Sequence, residues 1–155
     1  MTPVATVDGP VGPIAYRRAG TGRAVLLLHP LALSSASYRS LQHRLAASYD
    51  VIAVDARGHG DSGWDNEPFG VNDMAGDVVA LMDTLGLARA HMVGMSMGGS
   101  VAVVLAAQQP ERVSRMFLAD TTAWYGENAE QTWRERARRA VEVPRVDQVA
   151  FQVDR

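Results

Sequence analysis

The sequence contains no cysteine. That removes thiol nucleophiles, disulfides and zinc or iron–sulfur sites built on thiolates. It contains no lysine either, and all 15 basic residues are arginine. A Walker-A phosphate loop and a Schiff-base enzyme each depend on a lysine, so neither is encoded. Long apolar runs are also missing. The longest, Val101 to Ala107, falls far short of the ~18 residues a membrane helix needs, and no membrane partner is expected. Basic blocks are absent too. Residues 1–49 set five arginines against Asp8, residues 50–90 set eight acids against Arg57 and Arg89, and the formal net charge is −2. Nothing there tracks a phosphate backbone, so nucleic acid is not an expected partner. The opening MTPVATVDGPVGPIAYRR lacks the apolar core of a secretory signal, and the expected location is cytoplasmic.

What is present is globular. The chain has 155 residues, 47% hydrophobic and 21% charged, enough for one domain of ordinary size. Pro3, Gly9, Pro10, Gly12 and Pro13 predict short strands and turns at the start, with an edge strand over Ile14–Ala19. Ala24–Leu28, Val51–Val54, Ala90–Val93 and Val113–Leu118 are short apolar runs, each read as a strand buried in a parallel sheet. Between them lie predicted helices over Ser34–Ala47, Val71–Leu85 and Met97–Gln109, the last stopped by Pro110. Val71–Leu85 has the clearest three/four spacing, with Gly70 as N-cap, Asp73 at the positive end and Gly86 as the left-handed terminator. Alternating strands and helices give an α/β class with a mostly parallel sheet. Residues 127–142 mix charges around Trp133, Ala137 and Val141 and predict an amphipathic helix outside that sheet, interrupted by Pro144.

One string carries chemistry. Gly94-Met-Ser96-Met-Gly98 is a G-x-S-x-G motif directly after a predicted strand and directly before a predicted helix. The chain must turn from strand to helix within a residue or two, so a side chain at either glycine would collide. The turn lifts the Ser96 hydroxyl to the sheet's end, beside the free N–H groups of the helix start. Ser96 is the candidate nucleophile. Acyl transfer also needs two backbone donors for its oxyanion. One is the Met97 N–H. The other is expected from the loop after Ala24–Leu28, where Pro30 has no N–H and Leu31 becomes the candidate.

Together LLLHP, DARGHGDS, GDVVALMDTLGLARAHMVGMSMGG and QQPERV make the sequence resemble the α/β-hydrolases over residues 13–140, and within them the 3-oxoadipate enol-lactonases and small esterases. The subgroup likeness rests on LMDTLGLARA and on ADTTAWYG leading into an arginine-rich helix. Many relatives have His-Gly where this chain has His29-Pro30. The resemblance implies an α/β-hydrolase fold cut short after the strand that follows the nucleophile helix. Residues 1–123 are the N-terminal part of the core and 124–155 the start of a helical cap. It implies hydrolysis of a small ester or lactone through an acyl-serine, with no cofactor and no metal. The loop Arg57–Ser62 is then structural, with Arg57, His59 and Asp61 bonding to backbone. Trp124, Tyr125 and Trp133, within a lid reaching Val153, either line a pocket or pack in a core. Arg134, Arg136, Arg138 and Arg139 either meet a substrate carboxylate or form a solvated face.

The same resemblance orders the triad as serine, acid, histidine along the chain. No histidine follows Ser96, and His29, His43, His59 and His91 all precede it. His59 is the one conceivable base among them. Asp120 either orients a histidine or caps a strand end. Losing the histidine alone costs on the order of a millionfold in turnover in a serine hydrolase, so the chain by itself is expected to be nearly inactive. A missing C-terminal half or a complementing chain would supply the rest. The strand at Val113–Leu118 would lie at a sheet edge that the family covers with another strand, an invitation to pair with other chains and so to form a homo-oligomer. Two other readings keep the same fold: a non-catalytic ligand-binding or sensor protein, and haloperoxidase or acyltransferase chemistry.

Overall fold

The computed structural model describes residues 2–124 and 126–142. The chain divides between Ala123 and Trp124 into two compact units. The first is built on a six-stranded sheet with β1 (Ala5–Gly9), β2 (Gly12–Ala19), β3 (Ala24–Leu28), β4 (Asp50–Val54), β5 (Ala90–Met95) and β6 (Val113–Ala119). The order is β1-β2-β4-β3-β5-β6. β1 and β2 form an antiparallel hairpin and β2 pairs antiparallel with β4, while β4, β3, β5 and β6 run parallel.

β3 shows why the run AVLLL reads as a buried strand. Side chains alternate across a strand. Leu26 and Leu28 therefore join Ile52, Val54 and Met92 under α2 (Val71–Thr84) and α3 (Met97–Gln108). Val25 and Leu27 join Val51 and Ala53 on the other face, packed by Tyr38, Leu41 and Leu45. Those three come from a 3-10 turn, Ser35–Tyr38, continued by α1 (Arg39–Leu45). The segment predicted as one helix over Ser34–Ala47 thus begins with the tighter turn, with Ser34 accepting from the Ala36 N–H.

α2 ends as its sequence requires. The Gly70 N–H donates to the Asp73 carboxylate at 2.8 Å. At the other end Gly86 has φ 67°, Leu87 N–H donates to Met82 O and Gly86 N–H to Asp83 O, a Schellman closure.

Two expectations fail. Ile14–Ala19 is not an edge strand, because β1 covers it and takes the edge. β6 is not buried: only Val113 is, while Met116, Phe117 and Leu118 are exposed, Phe117 by 67%. The physical reason is its place at the end of the sheet, with no described strand beyond it.

The second unit contains α4 (Ala129–Glu142), the amphipathic segment expected there. Pro144 and Val153 lie outside the described residues. Among those described, no helix is long and apolar enough to cross a membrane.

Candidate active site

Ser96 joins the end of β5 to the first turn of α3 at φ 49° and ψ −117°. A non-glycine residue at positive φ is strained by about 1–3 kcal/mol and persists only when its surroundings hold it. Here its N–H donates to Ala119 O on β6 at 3.0 Å, and its carbonyl accepts from the Ser100 N–H at 3.0 Å. Its hydroxyl caps nothing. Met97, next in the chain, is the first helical residue, so its N–H has no intrahelical acceptor and stands at the positive end of the helix.

The two flanking glycines are needed for contact rather than for unusual φ. A Cβ on Gly94 would lie 2.6 Å from Gly98 O and from the Gly99 Cα. A Cβ on Gly98 would run into the Leu28 carbonyl and sit 2.8 Å from His29 O. The second contact also brings the start of α3 against the loop after β3.

That loop is fixed by three attachments. His29 is buried, and its Nε2 accepts the Ala56 N–H at 3.0 Å. A ring nitrogen that accepts cannot carry the proton, so Nδ1 carries it and donates to Pro30 O at 2.8 Å. Burial pushes the His29 imidazole below the usual histidine range, partly opposed by the Pro30 carbonyl, with the neighbouring His59 ring at 5.2 Å adding to the depression. The Tyr38 hydroxyl, its pKa raised by burial, donates to Leu28 O at 3.0 Å. The Ser35 N–H donates to the Asp55 carboxylate at 2.6 Å. Between these points the chain turns at residues 30–33, where the Leu33 N–H reaches Pro30 O and Ala32 has φ 63°. Leu31 stands 53% exposed at this turn. No hydrogen bond from its N–H is formed with the described residues.

Asp55 was not singled out by the sequence, yet it ties the two loops together. Its second carboxylate oxygen accepts the Asp61 N–H at 3.0 Å, and its carbonyl accepts the Ser62 hydroxyl at 2.6 Å. Ser62 in turn accepts the Ala15 N–H at 2.8 Å. A carboxylate at the end of a buried strand, just before a glycine-rich turn, was the available signal. Arg57 bonds one backbone carbonyl, Asp73 O at 3.1 Å, but its main partner is the Asp77 carboxylate. His59 Nδ1 lies 3.0 Å from Arg57 O. Asp61 departs from expectation: its side chain faces Arg17 at 3.9 Å rather than backbone.

The other histidines are placed away from the motif's chemistry. His43 is exposed on α1, and His91 lies in β5 with its ring edge-on to Tyr49. Asp120 follows β6, exposed, at φ 51°. Among the described residues no group of three or more His, Asp or Glu side chains is arranged to hold a metal. A cavity of about 20 Å³ beside the motif, lined by Leu28, His29, Asp55, Asp77, Met97 and Gly98, has room for about one water.

On α4 three of the four arginines have anionic partners. Arg134 pairs with Glu130, Arg138 with Glu135 and Glu142, and Arg139 with Glu135. Hydrogen bonds from Arg138 and then Arg139 lower the Glu135 pKa to about 2. Arg136 lies over the Trp133 ring at 4.7 Å. Trp124 and Trp133 are both exposed, and Tyr125 lies outside the described residues.

A family model for the alpha/beta hydrolase fold matches residues 23–145. The chain belongs to the α/β-hydrolase family. Its solved relatives include an enol-lactonase from Burkholderia xenovorans LB400, with a TM-score of 0.84 and 30% identity over 96% of this chain and 58% of that one. Among curated proteins, 3-oxoadipate enol-lactonase 2 of Acinetobacter baylyi is 40% identical over 89 residues, 57% of this chain and 33% of the relative. The 2-(acetamidomethylene)succinate hydrolase of Mesorhizobium japonicum is 35% identical over 108 residues, 70% of this chain and 39% of the relative. This α/β-hydrolase chain thus spans well under half the length of those two curated proteins and somewhat over half of the solved enol-lactonase.

Proposed function

We propose that the chain carries the nucleophile half of a hydrolase for a small ester or lactone. The observation that supports this most directly is Ser96, held at φ 49° with its hydroxyl uncapped at the start of α3. In this reading the Ser96 oxygen attacks the substrate carbonyl. The tetrahedral oxyanion is held by the Met97 and Leu31 N–H groups, and collapse expels the alcohol to leave an acyl-serine. Water then attacks the acyl group and releases the acid. No cofactor enters these steps.

The base is assigned to a histidine outside these 155 residues, oriented by an acid also supplied from there. The motive is local. His29 spends its lone pair on the Ala56 N–H, and no histidine follows Ser96 in the sequence. The greater length of the relatives fits the same assignment. The chain's own contribution is then the nucleophile, the two oxyanion donors and the rigid loops beneath them.

Fluorophosphonate labelling of the polypeptide completed with its histidine and acid, read by mass spectrometry, tests the nucleophile. The adduct is expected on Ser96 and is expected to vanish in Ser96→Ala. Labelling that persists after that substitution removes the assignment. The rival reading is a binding protein of hydrolase fold. That rival predicts ligand-induced stabilisation with no adduct, even when the polypeptide is completed.

A further inference from the structure

The strained backbone at Ser96 is held from beyond its own strand and helix. Its N–H donates to Ala119 O. The Thr121 hydroxyl stands 3.0 Å from that same Ala119 oxygen and 3.3 Å from Ser96 O. One hydroxyl proton is shared between the two carbonyls, so Thr121 bridges both members of the Ser96–Ala119 pair. Between Ala119 and Thr121 the chain bends at Asp120, which has φ 51°. Thr121 is also seated against the start of α3. A Cβ built on Gly99 would lie 2.8 Å from both Cβ and Cγ2 of Thr121, leaving no space between the two segments.

We propose that Thr121 is a positioning residue for the nucleophile. Its hydroxyl clamps the peptide that follows Ser96 to the end of β6, and so sets where the Ser96 oxygen points. A non-glycine residue in this region of φ and ψ relaxes unless its neighbours over-determine it. The Ser96 side chain supplies no cap of its own. The holding contacts are therefore Ala119 O, the Ser100 N–H and the Thr121 hydroxyl. Thr121 acts through its side chain, so at this contact the residue type controls the geometry. The catalytic meaning of the clamp rests on the reading of Ser96 as nucleophile, whereas the clamp itself does not.

The test has two readouts, amide exchange on the 155-residue chain and labelling on the polypeptide completed by the segment that supplies the histidine and acid. Amide hydrogen exchange at Ser96 reports the clamp through the shared acceptor, because the Ser96 N–H donates to the same Ala119 carbonyl that the Thr121 hydroxyl reaches. Thr121→Val, which keeps the shape and removes the hydroxyl, is expected to accelerate that exchange roughly five- to tenfold, the effect of losing one ordinary hydrogen bond. Thr121→Ser restores the hydroxyl and is expected to stay within about twofold of the parent, because the same bond is remade. Thr121→Ala repeats the deletion without the second methyl, in case valine fits poorly against Gly99. Parent-like exchange in both hydroxyl-free variants, or acceleration in Thr121→Ser equal to theirs, overturns the clamp.

The second readout is the rate of fluorophosphonate labelling. A displacement of about 1 Å at a reacting group costs on the order of a hundredfold, and Thr121→Val is expected to slow labelling at least ~10-fold while Thr121→Ser does not. Accelerated exchange with unchanged labelling overturns the positioning role. An adduct that survives Ser96→Ala, or no adduct in the completed parent polypeptide, defeats the nucleophile reading instead, and the clamp is then judged on exchange.

Discussion

Arg57 and Asp77 meet through two hydrogen bonds of 2.6 Å with both side chains buried. The pair joins the glycine-rich loop after β4 to the middle of α2, and the guanidinium also faces the Phe69 ring at 5.6 Å. Hydrogen bonding to Asp77 raises the Arg57 pKa further, so the group stays charged. Asp77→Ala strands that charge in the interior and is expected to cost about 3–5 kcal/mol in urea unfolding. Replacing both partners by apolar residues of matching size should cost far less. A loss below ~1 kcal/mol for the single variant would show that water reaches the site and takes over the carboxylate's role.

His29 predicts a pH dependence. Its imidazole is held below its ordinary value of 6.5 by burial. Below that ordinary value the unfolded chain binds a proton that the folded chain does not, so stability falls with pH. The contribution of neutral His29 is complete above pH 6.5 and is lost as the pH drops through the folded value. Protonation also destroys the acceptor for the Ala56 N–H. Unfolding curves taken between neutrality and mild acid should show this slope, and His29→Gln should flatten it. An unchanged slope in that variant would assign the effect to other groups.

Glycine-to-alanine substitutions should separate by position. At Gly94 the new methyl meets backbone atoms at 2.6 Å and at Gly98 it meets the Leu28 carbonyl. Neither neighbour can swing aside, so each variant is expected to lose about 1–3 kcal/mol and labelling at Ser96 with it. Gly76 lies exposed in α2 with nothing within 4 Å of its would-be Cβ. Gly76→Ala is expected to gain about 0.5–1 kcal/mol in thermal or urea unfolding.

On α4, the Glu135 carboxyl should titrate near pH 2 in a carbon-detected NMR experiment, because Arg138 and Arg139 hydrogen-bond its ionised form. A depressed acid contributes above its unfolded value of 4.5 and ceases to contribute as pH falls through about 2. Both arginines are on the surface, so molar salt should move the midpoint back up.

Much of this fold could be read in advance because the relevant signals are local. AVLLL needs two covered faces wherever it lies, and G-x-S-x-G constrains atoms within a few residues of each other. What escaped the sequence depends on partners far along the chain. Asp55 bonds Ser35 across 20 positions, and Thr121 bonds Ser96 across 25. Before folding, each is only a polar residue near a turn. β6 failed for a different reason. Apolar residues report that a surface wants covering, not that the cover belongs to the same stretch of chain. Leu31 and Met97 were placed by a rule about backbone donors. Leu31 stands in the turn after β3 and Met97 opens the first turn of α3.

The placement of β3 has a consequence for synthesis. Val25 pairs with Val51 on one side and with His91 on the other. The middle strand of the sheet thus leaves the ribosome early and acquires its second neighbour only after a long stretch of further translation. Pairings so distant in sequence slow folding. In the interval a nascent chain exposes one flank of its most apolar segment, and this is the period in which a chaperone has most to shield.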